Sequence, residues 1–425
     1  MKAREWIAKI KDGALGAYSH MYSSVKEQEA RCIAAIESFV SVYGEGRDVF
    51  LFSVPGRTEV MGNHTDHNHG CVLAAAIERD VIAVVSPSDN GVIRLKSEGF
   101  GEDTVQVGEC GDTKAFADFS SAALIAGTVN GFCERGYRVG GFDAYTTSRV
   151  LKGSGLSSSA AFEVMIGNIL NHLYNNGEIA NQELAKIAQY AENVYFGKPC
   201  GLMDQMACAV GGFVFIDFED ASNPSVEPIG FSLDKAGFVL SIVNTGGNHA
   251  DLNADYASVP TEMKSVAAYF GKDVLRGVAE DALVANAALL RRAVGDRALL
   301  RALHFARENK RVRETAAALK EGDIESFLKG VLSSGDSSFK YLQNVYTAKN
   351  TEEQGLSLAL AVTEGALSGK GCAWRVHGGG FAGTTQAFVR REYAEEYALL
   401  MDAVFGEGAC MTLSVRSEGA IQICL

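Results

Sequence analysis

The chain has 425 residues, longer than a typical single domain and short for three, so two lobes are expected. Hydrophobic residues at 47% and charged residues at 21% exclude a disordered or low-complexity protein. Lys plus Arg number 39 against 52 Asp plus Glu, a formal net charge of -13 with no long basic run, which excludes a nucleic-acid binder working through a basic face. Any phosphate must be held locally, by backbone N–H groups, a metal ion or one or two placed cations.

The first forty or so residues read as helix, with Ile33, Ile36, Phe39 and Val40 on one face. No signal-peptide core occupies Met1 to Tyr22, and no run of about 18 apolar residues occurs anywhere. Asp48 to Val54 and Val72 to Val85 read as two strands bracketing a polar loop, and Phe142 to Val150 as a strand leading into a Gly/Ser turn. Phe162, Met165, Ile166, Ile169, Leu170 and Leu173 recur at helical spacing. So do Leu184, Ile187, Ala188, Ala191 and Tyr195, with Gly197 and Pro199 as the stop. Gly212 to Phe218 and Phe238 to Asn244 are predicted strands, and the polar stretch between them, with Pro224 and Pro228, is the expected lobe boundary. Leu275 to about Leu332 is strongly helical, and strands at Ala373–Val376 and Gln386–Val389 flank a run of three glycines. The division expected is a helical extension over 1–45, one lobe over 46–222 and a second over 223–425, mixed α+β throughout. Nine cysteines without a C-x-x-C pair indicate neither a zinc site nor a closed disulfide set, and a cytoplasmic location is expected.

Four motifs carry candidate chemistry. Gly153-Ser154-Gly155-Leu156-Ser157-Ser158-Ser159-Ala160 lies between a strand and an amphipathic helix, where backbone N–H groups and the helix N-terminus suit an anion. It is not a Walker A loop, and a strand-to-helix turn capped by serines would look the same. The stretch from Pro55 through Arg57, Asn63, His64, Asp66, His67 and His69 to Gly70 is dense in polar side chains, a composition that suits hydroxyl recognition as well as a metal. Asp204 stands among apolar neighbours in Cys200-Gly201-Leu202-Met203-Asp204-Gln205-Met206, where it either does chemistry or caps a helix. His377-Gly378-Gly379-Gly380 is a second Gly-rich turn, readable on its own as a hairpin connection.

Together and in this order the motifs resemble the galactokinase family of the GHMP small-molecule kinases. The first polar block is similar to the family's G-R-x-N-x-I-G-E-H-T-D-Y-N, and Gly155 to Ala161 with Glu163 to its G-L-S-S-S-A-x-x-E-V. Ala191-Glu192-Asn193, Cys200-Gly201 and Met203-Asp204-Gln205 resemble A-E-N…C-G-I-M-D-Q, and the triple glycine resembles G-G-G-F-G-G. The likeness runs from about Glu37 to the C-terminus.

The resemblance implies a two-lobed fold, an N-terminal lobe like domain 2 of ribosomal protein S5 and a ferredoxin-like C-terminal lobe, with ATP and sugar meeting between them. It implies that Gly153, Ser154, Gly155, Leu156, Ser157, Ser158 and Ser159 cradle the ATP phosphates, supported by Gly378, Gly379 and Gly380. Ser159 and Glu192 are implied to hold Mg²⁺, Asp204 to accept the proton of the anomeric hydroxyl, and Arg57 to stabilise the transferring phosphoryl group. A neighbouring Arg57 should keep Asp204 ionised. Asn63, His64, Asp66, Gly201 and Tyr256 match sugar-contacting positions.

Several residues depart from the family pattern. Asn63 replaces a Glu associated with the sugar's far end, and His67 replaces a Tyr. Ser258, Val259 and Pro260 stand in the region of an arginine pair, and Leu151 replaces a Pro. The activity implied is transfer of the γ-phosphate of ATP to the anomeric oxygen of galactose or a close relative. Loss of a carboxylate at position 63 motivates a uronic-acid variant, galacturonate, beside an amino sugar. A non-catalytic sugar and ATP sensor is the remaining alternative, disfavoured because Ser159, Ala160, Asp204 and Arg57 are all present. The expected partners are sugar and ATP, without nucleic acid or membrane, and a monomer is favoured.

Overall fold

The computed structural model describes residues 1–150, 155–198, 200–247 and 252–425. Its strands are β1 (Phe50–Met61), β2 (Cys71–Ser88), β3 (Val92–Ser97), β4 (Glu102–Gln106), β5 (Gly141–Ser148) and β6 (Phe213–Asp217). They continue with β7 (Ser225–Ile229), β8 (Phe238–Asn244), β9 (Ala373–Val376), β10 (Thr384–Arg390), β11 (Cys410–Leu413) and β12 (Ile421–Ile423). The helices of the first half are α1 (Ala3–Lys11), α2 (Val25–Tyr43), α3 (Ser121–Glu134), α4 (Ser158–Tyr174), α5 (Asn181–Tyr190) and α6 (Met203–Val210). Those of the second are α7 (Asn253–Tyr269), α8 (Glu280–Ala285), α9 (Ala287–Ala293), α10 (Asp296–Glu321), α11 (Ile324–Ser337), α12 (Gly355–Leu367) and α13 (Ala394–Phe405).

The larger sheet runs β12-β1-β2-β5-β3-β4. The long strand β2 divides its second edge, giving residues 71–75 to β6 and 81–88 to β5, and β7 pairs beyond β6. Only the β3–β5 pair is parallel among the described residues. The polar stretch containing Pro224 and Pro228 thus carries a strand of this sheet, and β12 returns to it from the C-terminus, so the sheet takes strands from beyond position 222.

Side chains alternate across β1 and β2, and both faces are covered. Phe52, Val54, Val81, Ala83 and Val85 face the main core with α3, α4 and α5. Leu51, Ile82 and Val84 face the other way, against Trp6, Ile10, Ile36 and Phe39 of α1 and α2. The N-terminal extension therefore closes an apolar sheet face that water would otherwise meet.

The smaller sheet, β11-β8-β10-β9, is antiparallel. Val239, Val243, Ala387 and Val389 pack under Leu367, Tyr397 and Met401 of α12 and α13. On the opposite face Leu240, Ile242 and Phe388 join Val312, Ala316, Phe327 and Val331 of α10 and α11 in the main core, so the lobes share one apolar interior.

Two sequence expectations change here. The strand expected over 48–54 continues to Met61, which places Arg57, Thr58 and Glu59 in β1 and confines the polar loop to 62–70. A register shift between Pro55 and Arg57 absorbs the proline, which has no N–H for the ladder, and Gly56 beside it. The second helix stops as an α-helix at Tyr190 and continues as a π-turn over Ala191–Phe196, which carries Glu192. Gly197 ends it at φ +80°, and Pro199 lies outside the described residues.

Candidate active site

The register shift turns the Arg57 N–H off the ladder, and it donates to Leu156 O at 3.1 Å, fastening the Gly/Ser loop to β1. The Arg57 side chain then meets Asp204, 147 residues away, in a two-pronged pair: Nε to Oδ1 and Nη2 to Oδ2, both 2.8 Å. Its Nη1 donates to Gly155 O. Asp204 sits in the first turn of α6 and makes no cap, so of its two sequence readings the helix cap is set aside. Burial alone would raise its pKa, but the Arg57 charge, the Arg57 hydrogen bonds and the Ser157 hydroxyl outweigh that and hold the carboxyl below its ordinary range. The expectation that Arg57 keeps Asp204 ionised agrees with this arrangement.

Ser157 is the residue before α4, in the left-handed region at φ +58°. Its hydroxyl does not cap the helix and donates instead to Asp204 Oδ2. The first helical bond is Ala161 N to Ser157 O at 3.1 Å, and among the described residues the N–H groups of Ser158, Ser159 and Ala160 have no backbone acceptor, as at any helix start. Gly155, at φ +73°, approaches Thr384 and His377 of the smaller sheet so closely that a Cβ would lie 3.1 Å from Thr384 Oγ1. Gly153, Ser154 and Leu151 lie outside the described residues.

Ser159 Oγ lies 3.3 Å from Glu192 Oε1, bringing the two expected Mg²⁺ ligands together. Lys198 Nζ donates to the same oxygen at 3.0 Å, and Gln205 Nε2 to Glu192 Oε2 at 2.7 Å. The donors are hard oxygens, a hydroxyl and a carboxylate, which fits Mg²⁺ bound chiefly through nucleotide phosphates and water. No cluster of three or more His, Cys, Asp or Glu suited to a metal occurs among the described residues.

The polar loop 62–70 is clamped from the second lobe. Glu308 Oε1 accepts from Gly62 N at 3.0 Å, and Asn309 Oδ1 from Cys71 N at 2.8 Å. His304 Nε2 donates to Asn63 O at 3.1 Å. At φ +56°, His64 donates from Nε2 to Gly379 O at 2.8 Å, and burial followed by the neighbouring His67 lowers its pKa to about 4, so it is neutral at pH 7. Asp66 lies over Gly201, where a Cβ would overlap its Oδ2. Tyr256 donates to Gly380 O at 2.7 Å and stands against Gly379, where a Cβ would lie 2.6 Å from its ring. The carbonyls of Gly378, Gly379 and Gly380 thus receive Asn63, His64 and Tyr256, and the triple glycine joins this loop to the second lobe.

Asn63 is 1% exposed and both ends of its amide are used. Its Nδ2 donates to Glu59 Oε1 and to Gly378 O, and its Oδ1 accepts from Ser338 Oγ at 3.1 Å. Its polar atoms are thus taken up by β1 and the second lobe, as His64 Nε2 is by Gly379. Sequence reasoning missed Glu59, Gln205 and Lys198. Glu59 was readable as a departure, since the polar block quoted above has Asn at its position; Gln205 stood inside the matched Met203-Asp204-Gln205 run without a role, and Lys198 offered no signal of its own.

Residues 37–87 match the galactokinase galactose-binding signature and residues 123–212 match the N-terminal domain of GHMP kinases. Galactokinase of Streptomyces coelicolor is 34% identical over 358 residues, covering 83% of this chain and 87% of that protein. Galactokinase of Thermotoga petrophila is 32% identical over 329 residues, covering 77% and 86%. The crystal structure of Lactococcus lactis galactokinase complexed with galactose superposes with a TM-score of 0.76 at 22% identity, over 91% of this chain and 98% of that one. The mixed two-sheet architecture is therefore the GHMP kinase fold that the sequence implied.

Proposed function

The chain belongs to the galactokinase family, and on that premise we propose that it transfers the γ-phosphate of ATP to the anomeric hydroxyl of galactose, giving galactose 1-phosphate and ADP. The observation that carries this reading is the meeting of Arg57, Asp204 and Ser157 at the mouth of the loop opening α4.

Phosphoryl transfer passes through a loose transition state, so the site needs alignment and charge stabilisation more than a strong base. Asp204, ionised and about a third exposed, accepts the hydroxyl proton as the oxygen acidifies on bonding to phosphorus. Arg57 holds the carboxylate in a fixed plane and places positive charge beside the transferring group. The N–H groups of Ser158, Ser159 and Ala160 at the start of α4, without a backbone acceptor among the described residues, receive phosphate oxygens. Ser159 and Glu192 would hold Mg²⁺, which when bound neutralises charge on the β- and γ-phosphates. His64, Asp66, Gly201 and Tyr256 form the sugar side. Because Gly201 has no side chain, Asp66 closes directly over it.

Glu59 puts a carboxylate beside Asn63, so this end of the site keeps the negative charge whose loss would favour galacturonate. One chain supplies the whole constellation, which supports a monomer as sufficient. No helix among the described residues is long and apolar enough to cross a membrane. A cytoplasmic location suits the nine free cysteines.

A coupled ADP assay over galactose, galactosamine, N-acetylgalactosamine, glucose, galacturonate and methyl α-galactoside tests the proposal. Galactose should give the highest turnover, and the methyl glycoside, lacking the anomeric hydroxyl, none. ADP release from the methyl glycoside, or none with galactose, would contradict it.

A further inference from the structure

Glu59 lies two residues after Arg57 on β1, with no register shift between them: Arg57 pairs with Ala76 and Glu59 with Ala74. The two side chains therefore leave the same face, about 7 Å apart along the strand, opposite small residues that leave room above them. Glu59 stands in the electrostatic field of Arg375 and Arg57, which favour its charge, and of Asp66 and Asp204, which oppose it.

Its two oxygens differ. Oε1 receives the Asn63 amide, while Oε2 takes no hydrogen bond among the described residues, although the residue is only 7% exposed. A carboxylate with a purely structural task uses both oxygens, as Glu308 does on the same seam with Gly62 N, Ser334 and Arg311. The polar block of the family has Asn at position 59 and Glu at 63; in this chain the two residue types are exchanged, across a hydrogen bond that joins them.

We infer that Glu59 is the side chain that reads the acceptor sugar at this end of the site, its open oxygen accepting a hydrogen bond from a sugar hydroxyl while Asn63 fixes its orientation. The inference rests on the sugar-kinase reading above and names a specificity residue within it. An acceptor-only carboxylate favours a hydroxyl or ammonium donor and repels an acceptor sugar bearing its own carboxylate. Burial pushes the Glu59 carboxyl up to about 7, which accords with an oxygen not yet matched to a donor.

The test measures galactose kcat and KM, ATP KM and Tm for the wild type, Glu59→Gln, Glu59→Asp and the exchanged double variant Glu59→Asn with Asn63→Glu. Losing a hydrogen bond to a charged group should raise galactose KM roughly 10- to 100-fold in Glu59→Gln, with ATP KM held within about twofold. Galacturonate should gain relative to galactose, and the double variant, which returns a carboxylate to the other end of the same bond, should recover part of the galactose loss. An unchanged galactose KM in Glu59→Gln, or a joint fall in kcat and Tm at constant galactose KM, would overturn the inference. Should Glu59→Gln not fold, Glu59→Asp decides by the same KM. Wild-type turnover of galactose tests the kinase reading separately. If that failed, the ratio of galactose dissociation constants by calorimetry would still judge Glu59.

Discussion

At the residue scale the site is governed by where charge is held and where it is left open. Asp204 stays ionised because a planar guanidinium grips both of its oxygens. A lysine at position 57 would keep the charge and lose the fork, along with the bond to Gly155 O. Arg57→Lys should therefore lower kcat by about 100-fold while leaving ATP KM nearly unchanged, measured by steady-state kinetics. Glu59 titrates differently from Asp204. Its carboxyl, raised to about 7 by burial against the pull of Arg375 and Arg57, gains a proton as pH falls through that value. Galactose kcat/KM should fall across the same interval and the limb should vanish in Glu59→Gln. The linkage sign runs the other way for stability: a carboxyl raised in the folded state favours folding at low pH and loses that contribution as pH rises through about 7. Glu59→Gln should accordingly match or exceed the wild-type Tm at pH 8.

At the scale of elements, β1 does most of the positioning. Its register shift at Gly56 lets the Arg57 N–H reach Leu156, and a Cβ at Gly56 would lie 2.7 Å from Leu156 O and 2.9 Å from Val150 Cγ1. Neither neighbour can withdraw without moving the loop, so Gly56→Ala should cost about 1–3 kcal/mol in urea denaturation and lower kcat as well. Much of this was legible in the sequence. The Gly/Ser loop, the polar block and Asp204 stand out because chemistry of that kind concentrates Gly, Ser and ionisable residues in short stretches. What was not legible has physical reasons. Periodicity cannot separate an α-turn from the π-turn at Ala191–Phe196, since both bury Ala191 and Tyr195. Polar content disguised the second half of β1 as loop, because its carbonyls at Glu59 and Val60 are met by Gln386 and Arg375 from the other lobe instead of a regular ladder. Asn63 read as a sugar contact from the family position it occupies, and its buried partners His304, Ser338 and Gly378, 241 to 315 residues away, gave no local signal.

Across the whole molecule a buried ion network ties both chain ends to the larger sheet. Asp80 is fully buried and receives Arg31 from α2, Arg416 from the segment before β12, Ser53 from β1 and Tyr22. Burial alone would raise its pKa, but the two arginines and the serine hydroxyl outweigh that and lower it. Its contribution to stability is therefore complete above the ordinary aspartate range and is lost as pH falls through the lowered folded value. Asp80→Asn leaves two buried cations underpaired and should cost about 3–5 kcal/mol, read by chemical denaturation at pH 7. The same network, through Arg31, fastens α2 of the extension to the larger sheet.

Turnover by this chain depends on Asp204 receiving a proton beside Arg57 at the nucleotide loop. The most direct measurement is kcat of Asp204→Asn at saturating ATP and galactose, paired with its ATP affinity. A fall of roughly 100- to 10,000-fold in kcat with ATP binding retained is predicted. Turnover within tenfold of the wild type in a folded, ATP-binding Asp204→Asn would contradict it.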